Sequence, residues 1–314
     1  MRGMVLAVAA AIALTLAGAP AAAKDYRFMT GPQGGSWYPL GGAISNFVRQ
    51  AEGGPRVRVL PGGGITNVKA VEAGKADLGL GNVVSTIDAI AGRPPFAEPA
   101  VHLRHLATFY PQVFQIVVRV DSGVTTVADL AGKALAVGLR GHTGEQMARH
   151  VLQIYGLTYD DMAEVNHISY TDAVSLMKDG HIDCFMVVTT IPAGAVMDVA
   201  ASRDIDVLAL PEDKLAALRA LNAQYVPRTI PAGTYPGQDT DIATFGTWTQ
   251  LIAHADMPDD VAYTITRAVA ENLDAMSAIV QAMDGIGLEQ LAQDVGVPLH
   301  PGAARYYREV GAIE

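Results

Sequence analysis

From Tyr26 onward, short apolar runs end in glycine-rich or polar turns, and each turn hands over to a segment with apolar residues at helical spacing. A chain that alternates in this way pairs its runs as largely parallel strands and covers them with helices. The fold class is therefore α/β. Tyr26 to Thr30 reads as a buried strand, GPQGGSWYP as a turn, and Leu40, Ile44, Phe47 and Val48 as one helical face. Arg56 to Leu60 alternates as a strand and runs into Pro61-Gly62-Gly63-Gly64, after which a short helix carries Val68 and Val71. Ala76 to Gly81 is a third strand, Asn82 ends it, and a helix follows over Val84 to Ala91.

The same grammar restarts after the apolar segment Phe114 to Val118. KALAVGL is a strand. Thr143 with Gln146 three residues on has capping-box spacing before a helix carrying Met147, Val151, Leu152 and Tyr155, and Gly156 stops it. A helix over Thr171 to Asp179 stops at Gly180, the strand Ile182 to Val188 follows, and Pro192 fits the first turn of a further helix. Asp206 to Leu210 completes this set; from Ala243 a β-rich stretch leads into a mainly helical region, Pro258 to Gln293.

The N-terminus follows another pattern. Arg2, the apolar stretch MVLAVAAAIALTLAG and Ala19-Pro20-Ala21-Ala22-Ala23 read as a signal peptide, residues 1–23, cleaved after Ala23. The run is short for a membrane span, so the expected product is a soluble exported protein, with a retained N-terminal anchor as the alternative. The net charge is −10, and −11 without Arg2, which argues against nucleic acid and anionic lipid as partners. The lone Cys184 excludes an intrachain disulfide framework and reads as a small buried hydrophobe. At 314 residues the chain has room for two α/β lobes with a ligand cleft between them, the two-lobed, type II or Venus-flytrap architecture of periplasmic binding proteins. Lobe 1 is expected to be discontinuous, residues 24–114 and 250–314, with residues 115–249 as lobe 2.

Ligands of open α/β sheets bind at the turns that follow strands. Four such turns supply the candidate ligand-binding residues. The first holds Gly35, Ser36, Trp37 and Tyr38 at a helix start, where free N–H groups favour an anion and the aromatics wall a cleft. The second holds Gly64 and Asn67, the third Asn82, and the fourth Arg140, His142 and Thr143. Arg140 is the one basic side chain among them, suited to clamp a carboxylate, and His142 could make binding pH-dependent. Each also has a plain structural reading as a turn, a cap or a solvated loop side chain.

Enzyme motifs are missing. GGSWY is not GxSxG, since Tyr38 stands at its last glycine, and no GxxxxGK[ST], HExxH or EF-hand loop occurs. The pairs Asp160-Asp161 and Asp259-Asp260 read as helix starts, and His102 with His105 lacks a clustered third ligand. No catalytic residue, metal or cofactor is expected.

The string TGPQGGSWYPLGGAISNFV resembles the opening of the TAXI family of TRAP-transporter solute receptors. Further similarities are GGGITNVKAVEAGKADLGL, FYPQVFQIVVRVDSGVTTVADLAGK, MKDGHIDCFMVV, TIPAGTYPGQD and PLHPGAARYYRE. The resemblance implies a two-lobed periplasmic receptor, a monomer, that closes on a small organic anion and delivers it to a TRAP-type ion-driven membrane permease. The anion implied is an amino acid such as glutamate, a dicarboxylate or a keto acid. Thr189 and Thr190 join the site through the segment that matches the family's Ala-Gly-His-Pro. Departures fall at cleft positions: Leu80-Gly81-Asn82-Val83-Val84 stands for Ile-Val-Gln-Ser-Asp, and Arg140-Gly141-His142-Thr143 for Gly-Ser-Gly-Thr. Alternatives are a receptor for a membrane sensor kinase and an exported enzyme on the same scaffold.

Overall fold

The computed structural model describes residues 24–314, so the expected signal peptide, residues 1–23, lies outside the described residues. The chain opens with β1 (Asp25–Met29), α1 (Trp37–Gln50), β2 (Arg56–Leu60), α2 (Gly64–Glu72), β3 (Leu78–Asn82) and α3 (Val83–Ile90). A long strand, β4 (Leu103–Arg119), leads to β5 (Ala134–Ala136), α4 (Thr143–Ile154), β6 (Glu164–Asn166), α5 (Tyr170–Lys178) and β7 (Cys184–Thr189). Then come α6 (Gly194–Ala200), β8 (Ile205–Val207), α7 (Glu212–Leu221) and β9 (Val226–Ile230). A second long strand, β10 (Ile242–His254), returns to α8 (Asp259–Ala270), α9 (Leu273–Ser277), α10 (Leu288–Leu291) and α11 (Pro301–Glu309).

The strands form one sheet in the order β2-β1-β3-β10-β4-β7-β5-β6, with β8 beside β4 and β9 beside β10. Pairs β1–β2, β1–β3, β5–β6 and β5–β7 are parallel, as helical crossovers require. The two long strands are antiparallel to each other and run through both halves of the sheet. On β10, Thr249 to Ala253 pair with β3 while Ile242 to Gly246 pair with β9. On β4, Leu103 to Thr108 pair with β10 alongside β3, whereas Val113 to Val118 pair with β7. The crossing strand thus begins at Leu103, well before the apolar run Phe114 to Val118 that signals it in the sequence.

Separate cores sit under the two halves. Phe28, Leu40, Ile44, Leu106, Leu251, Ile265 and Tyr307 share one; Phe114, Leu135, Met147, Val151 and Met186 share another, and Val117, Val174, Phe185 and Val196 a third. Helix α1 shows how the sequence builds them. Trp37, Leu40, Ile44 and Val48 fall on one face and are all buried, each large apolar side chain contributing about 1.5–3 kcal/mol. Cys184 is fully buried in β7, and burial pushes its thiol up, out of the reactive range.

Several local expectations are corrected. The N-cap of α4 is His142, not Thr143; Thr143 is the first helical residue, and its hydroxyl bonds Ser85 rather than closing a capping box. Pro192 precedes α6, whose N-cap is Ala193, and follows Ile191 through a cis peptide. The strand in KALAVGL is only Ala134–Ala136. Elements without a periodic signal are β6, a short stretch with no fully buried residue, β9, which carries Pro227, and α7, which buries only Leu215 and Leu218. Gly156 and Gly180 do end their helices, with φ of 73° and 79° that favour glycine.

Candidate functional site

The turn before α1, the turn before α2, the end of β3 and the turn before α4 converge on one cavity of about 40 Å³ between the two halves of the sheet. Gly35, Ser36 and Trp37 line it from the first turn, Gly63 and Gly64 from the second, Asn82 from the third, and His142, Thr143 and Gly144 from the fourth. Gln112 of β4, Tyr170 of α5, and Val188 and Thr189 of β7 close the remaining sides. Two glycines make the approach possible. A Cβ on Gly63 would overlap the His142 ring, and one on Gly64 would overlap the Thr143 hydroxyl. Only bare backbone lets the start of α2 lie against the start of α4.

Polar contacts tie the walls together across the cleft. Ser85 and Thr143 share a hydroxyl hydrogen bond of 2.8 Å, and Gly141 O accepts from Thr66 N at 3.1 Å and Thr66 Oγ1 at 2.9 Å. Farther out, Asn222 Nδ2 donates to Asp88 Oδ1 at 2.8 Å. Ser36 Oγ accepts from Tyr110 OH at 2.9 Å and from Gln112 Nε2 at 3.4 Å. With both lone pairs engaged, its own proton is free to be donated. Trp37 is held in the wall by its Nε1, which donates to Thr249 Oγ1 at 3.1 Å. The Tyr170 hydroxyl is likewise occupied, by Val188 N and O.

The electrostatics are those of a neutral cavity fringed by helix starts. Asp, Glu, Lys and Arg are absent from its lining among the described residues. None of the helices α1, α2, α3 and α4 has a side-chain hydrogen bond from its N-cap residue, although Val84 N in the first turn of α3 donates to Thr247 Oγ1 and Thr66 N in that of α2 donates to Gly141 O. Burial lowers the His142 imidazole, against an opposing pull from Glu145, and keeps the ring neutral near pH 7. The arrangement attracts negative charge through oriented dipoles.

Eight candidates from the sequence thus meet at the cavity: Gly35, Ser36, Trp37, Gly64, Asn82, His142, Thr143 and Thr189. Four do not line it. Tyr38 is turned outward on α1 and is 42% exposed, one residue off the buried face. Asn67 is fully buried as a brace: its Oδ1 accepts from Gly63 N, and its Nδ2 donates to Thr30 O and Leu80 O. Arg140 is exposed, so the cation offered as a carboxylate clamp stays in solvent. Thr190 belongs to an adjoining groove of about 290 Å³, lined also by Ile191, Pro192 and Ile279. Gln112 and Tyr170 line the cavity from outside the four turns. A glutamine inside the apolar run FYPQVFQIVV is the signal that points to the former; nothing marks Tyr170.

Asp160-Asp161 and Asp259-Asp260 stand in first helical turns. His102 binds Glu72 and stacks on His254, His105 is buried, and the described residues contain no group of three or more side chains able to hold a metal. No described helix is long and apolar enough to cross a membrane.

Comparison with known proteins adds a family and a fold. The model of the NMT1-like family matches residues 28–311. PhnD1 from Prochlorococcus marinus (MIT 9301), in complex with methylphosphonate, is similar with a TM-score of 0.56 and 11% identity, over 93% of this chain and 100% of that one. A protein of Bordetella bronchiseptica RB50 gives 0.55 and 17%, over 92% of this chain and 89% of that one. The alkanesulfonate-binding protein SsuA from Xanthomonas axonopodis pv. citri, bound to MOPS, gives 0.50 and 17%, over 92% and 85%. At such identities the likeness establishes the fold alone, which is the α/β fold of two-lobed periplasmic solute-binding proteins.

Proposed function

The chain belongs to the NMT1-like family, and from that premise we propose that it is an exported solute receptor that captures a small organic anion between two lobes. The observation that carries this reading is the convergence on one cleft cavity of the starts of α1, α2 and α4, whose N-cap residues make no side-chain cap bond, with Asn82 at the end of β3. Dipoles supply local attraction that a chain of net charge −10 does not supply globally. Differential affinity for the closed form then drives closure. The lobes in this reading are residues 24–114 with 250–314, and residues 115–249, joined where β4 and β10 cross. Gly35, Ser36, Trp37, Gly64, Asn82, His142, Thr143 and Thr189 are the ligand-contacting set.

The finer assignment follows the motif resemblance. A receptor of the TAXI type would act in the periplasm as a monomer and hand its ligand to a TRAP-type permease. The family match is coarser than that resemblance, and the ligands of the similar solved structures, methylphosphonate and MOPS, support an anion without choosing its class. Titration of purified residues 24–314 with amino acids, monocarboxylates, dicarboxylates, keto acids, sulfonates and phosphonates tests the receptor reading. A rise in melting temperature with a small anion is expected. No shift with any of them, or turnover of a bound compound, would refute it. Uptake by vesicles carrying the permease encoded nearest the gene tests the partner: dependence on an ion gradient supports the TRAP reading, and dependence on ATP overturns it.

A further inference from the structure

We propose that His142 meets the bound anion as an imidazolium, so that the site takes up one small monoanion together with one proton. This rests on the receptor reading and deepens it. His142 stands at the N-cap of α4 and lines the cavity. Its Cδ2–Nε2–Cε1 edge is turned across the cleft against Gly63, another lining residue, since a Cβ there would overlap all three atoms. Neither ring nitrogen has a hydrogen-bond partner among the described residues, and neither is sealed in by its neighbours. An imidazole held at a cavity wall with reachable, unpartnered nitrogens can take a proton there and donate from both.

The charge balance of the cavity says when it does so. Asp, Glu, Lys and Arg are absent from the lining among the described residues, and the Tyr170 hydroxyl, bonded to Val188 and pushed up to about 12 by burial, does not ionise near neutrality. An anion enclosed in about 40 Å³ loses most of its hydration and finds no fixed cation. Helix dipoles offset part of that loss, and a proton on His142 is the one full positive charge the lining can add. The groups around the ring leave that step to the ligand. Glu145 on α4 favours the proton but is held by Arg149 at 2.6 Å; Arg140, in the same turn, is exposed, and His167, after β6, interacts with both Arg140 and Glu145. Across the cleft, Lys69 lies in the last turn of α2, over the Phe96 ring, and Asp88 of α3 is bound by Arg93 and Asn222. Burial keeps the ring neutral without ligand, and an anion beside it reverses that preference. Ligand and proton then strengthen each other's binding by the same factor. The pair is neutral as a whole, whereas a dianion would leave one charge unbalanced.

Calorimetry on residues 24–314 with propionate, lactate, pyruvate, methanesulfonate, alanine, glutamate and succinate, between about pH 7 and about pH 8 in the cationic buffers imidazole and Tris, tests this. None of these solutes changes its own protonation in that window, so the dependence of the heat on the buffer counts protons taken up by the protein. For a monoanion that binds, uptake approaching one proton per ligand is expected near pH 7, with affinity falling about fivefold or more by pH 8. Succinate should bind at least about tenfold more weakly than the best monoanion. His142→Gln should lose about tenfold or more in affinity at pH 7, and whatever binding remains should be without uptake and independent of pH. Binding without proton uptake, uptake that persists in His142→Gln, or succinate binding as tightly as the monoanions overturns the proposal and leaves the receptor reading intact. Should His142→Gln not fold, His142→Asn makes the same comparison, and zero uptake by the unsubstituted protein overturns the proposal by itself. Binding by no member of the panel overturns the receptor reading together with this one.

Discussion

Asn222 Nδ2, just beyond α7, reaches Asp88 Oδ1 on α3 at 2.8 Å, a bond between residues 134 positions apart that spans the cleft. Asp88 is nearly buried, and Arg93 holds the same oxygen from its own side at 2.7 Å. The donor from the far wall is thus a charge-assisted partner present only when the walls are together.

Removing that partner should loosen the closed form. Asn222→Ala is expected to weaken ligand binding by about ten- to hundredfold, the equivalent of a charge-assisted hydrogen bond of about 1.5–3 kcal/mol. Calorimetry with any bound anion checks it, and small-angle X-ray scattering should show an expanded average shape. Unchanged affinity would make the bond incidental to closure.

Gly64→Ala places a methyl group against the Thr143 hydroxyl. The contact lies between two turns from opposite walls, so the expected result is an opened cleft rather than an unfolded chain. Ligand affinity should drop by at least an order of magnitude while the melting temperature without ligand moves little. The double substitution Gly64→Ala with Thr143→Gly should recover part of the loss.

Ser36→Ala leaves the fully buried Tyr110 hydroxyl without its acceptor. Stability should fall by about 1–3 kcal/mol in urea unfolding, and affinity for an anion should fall as well. A protein of unchanged stability would mean that Tyr110 finds another partner.

Acid sensitivity follows from His105. It is 1% exposed, beside Thr108 on β4, and burial holds its imidazole down to about 4. A depressed histidine contributes stability that is complete above its ordinary value near 6.5 and is lost as pH falls toward the folded value. Between pH 6.5 and 4 the chain should lose about 3 kcal/mol from this residue. His142, His150 and His300 are lowered by burial too and act in the same direction. Urea midpoints measured at pH 7 and pH 4.5 should diverge, and His105→Gln should narrow the gap.

Periodicity made the α/β class legible, because a buried strand and a one-faced helix each impose a repeat. Leu40, Ile44 and Val48 define the inner face of α1, and Trp37 lies three residues before Leu40 on that face, whereas Tyr38 is rotated off it. Asn67 and Asn82 both follow glycine-rich or strand-end sequence, and local patterns cannot separate them. Their roles diverge through tertiary partners: Gly63, Thr30 and Leu80 saturate Asn67, while Asn82 Oδ1 meets none. Arg140 shows the opposite limit. Its charge invited a functional reading, yet hydration keeps a lone guanidinium outside unless a buried partner waits for it.

The long pair β4 and β10 bears on how such a molecule moves. Its ladder is continuous from one half of the sheet to the other, with the register slipping between Trp248 and Gln250 and again between Leu251 and Ile252. A swing of the halves can flex this ribbon where the pairing is already out of step, without unzipping it. In the receptor reading the two strands would serve as a leaf spring, with the position of rest set by the side chains that touch across the gap rather than by the hinge itself.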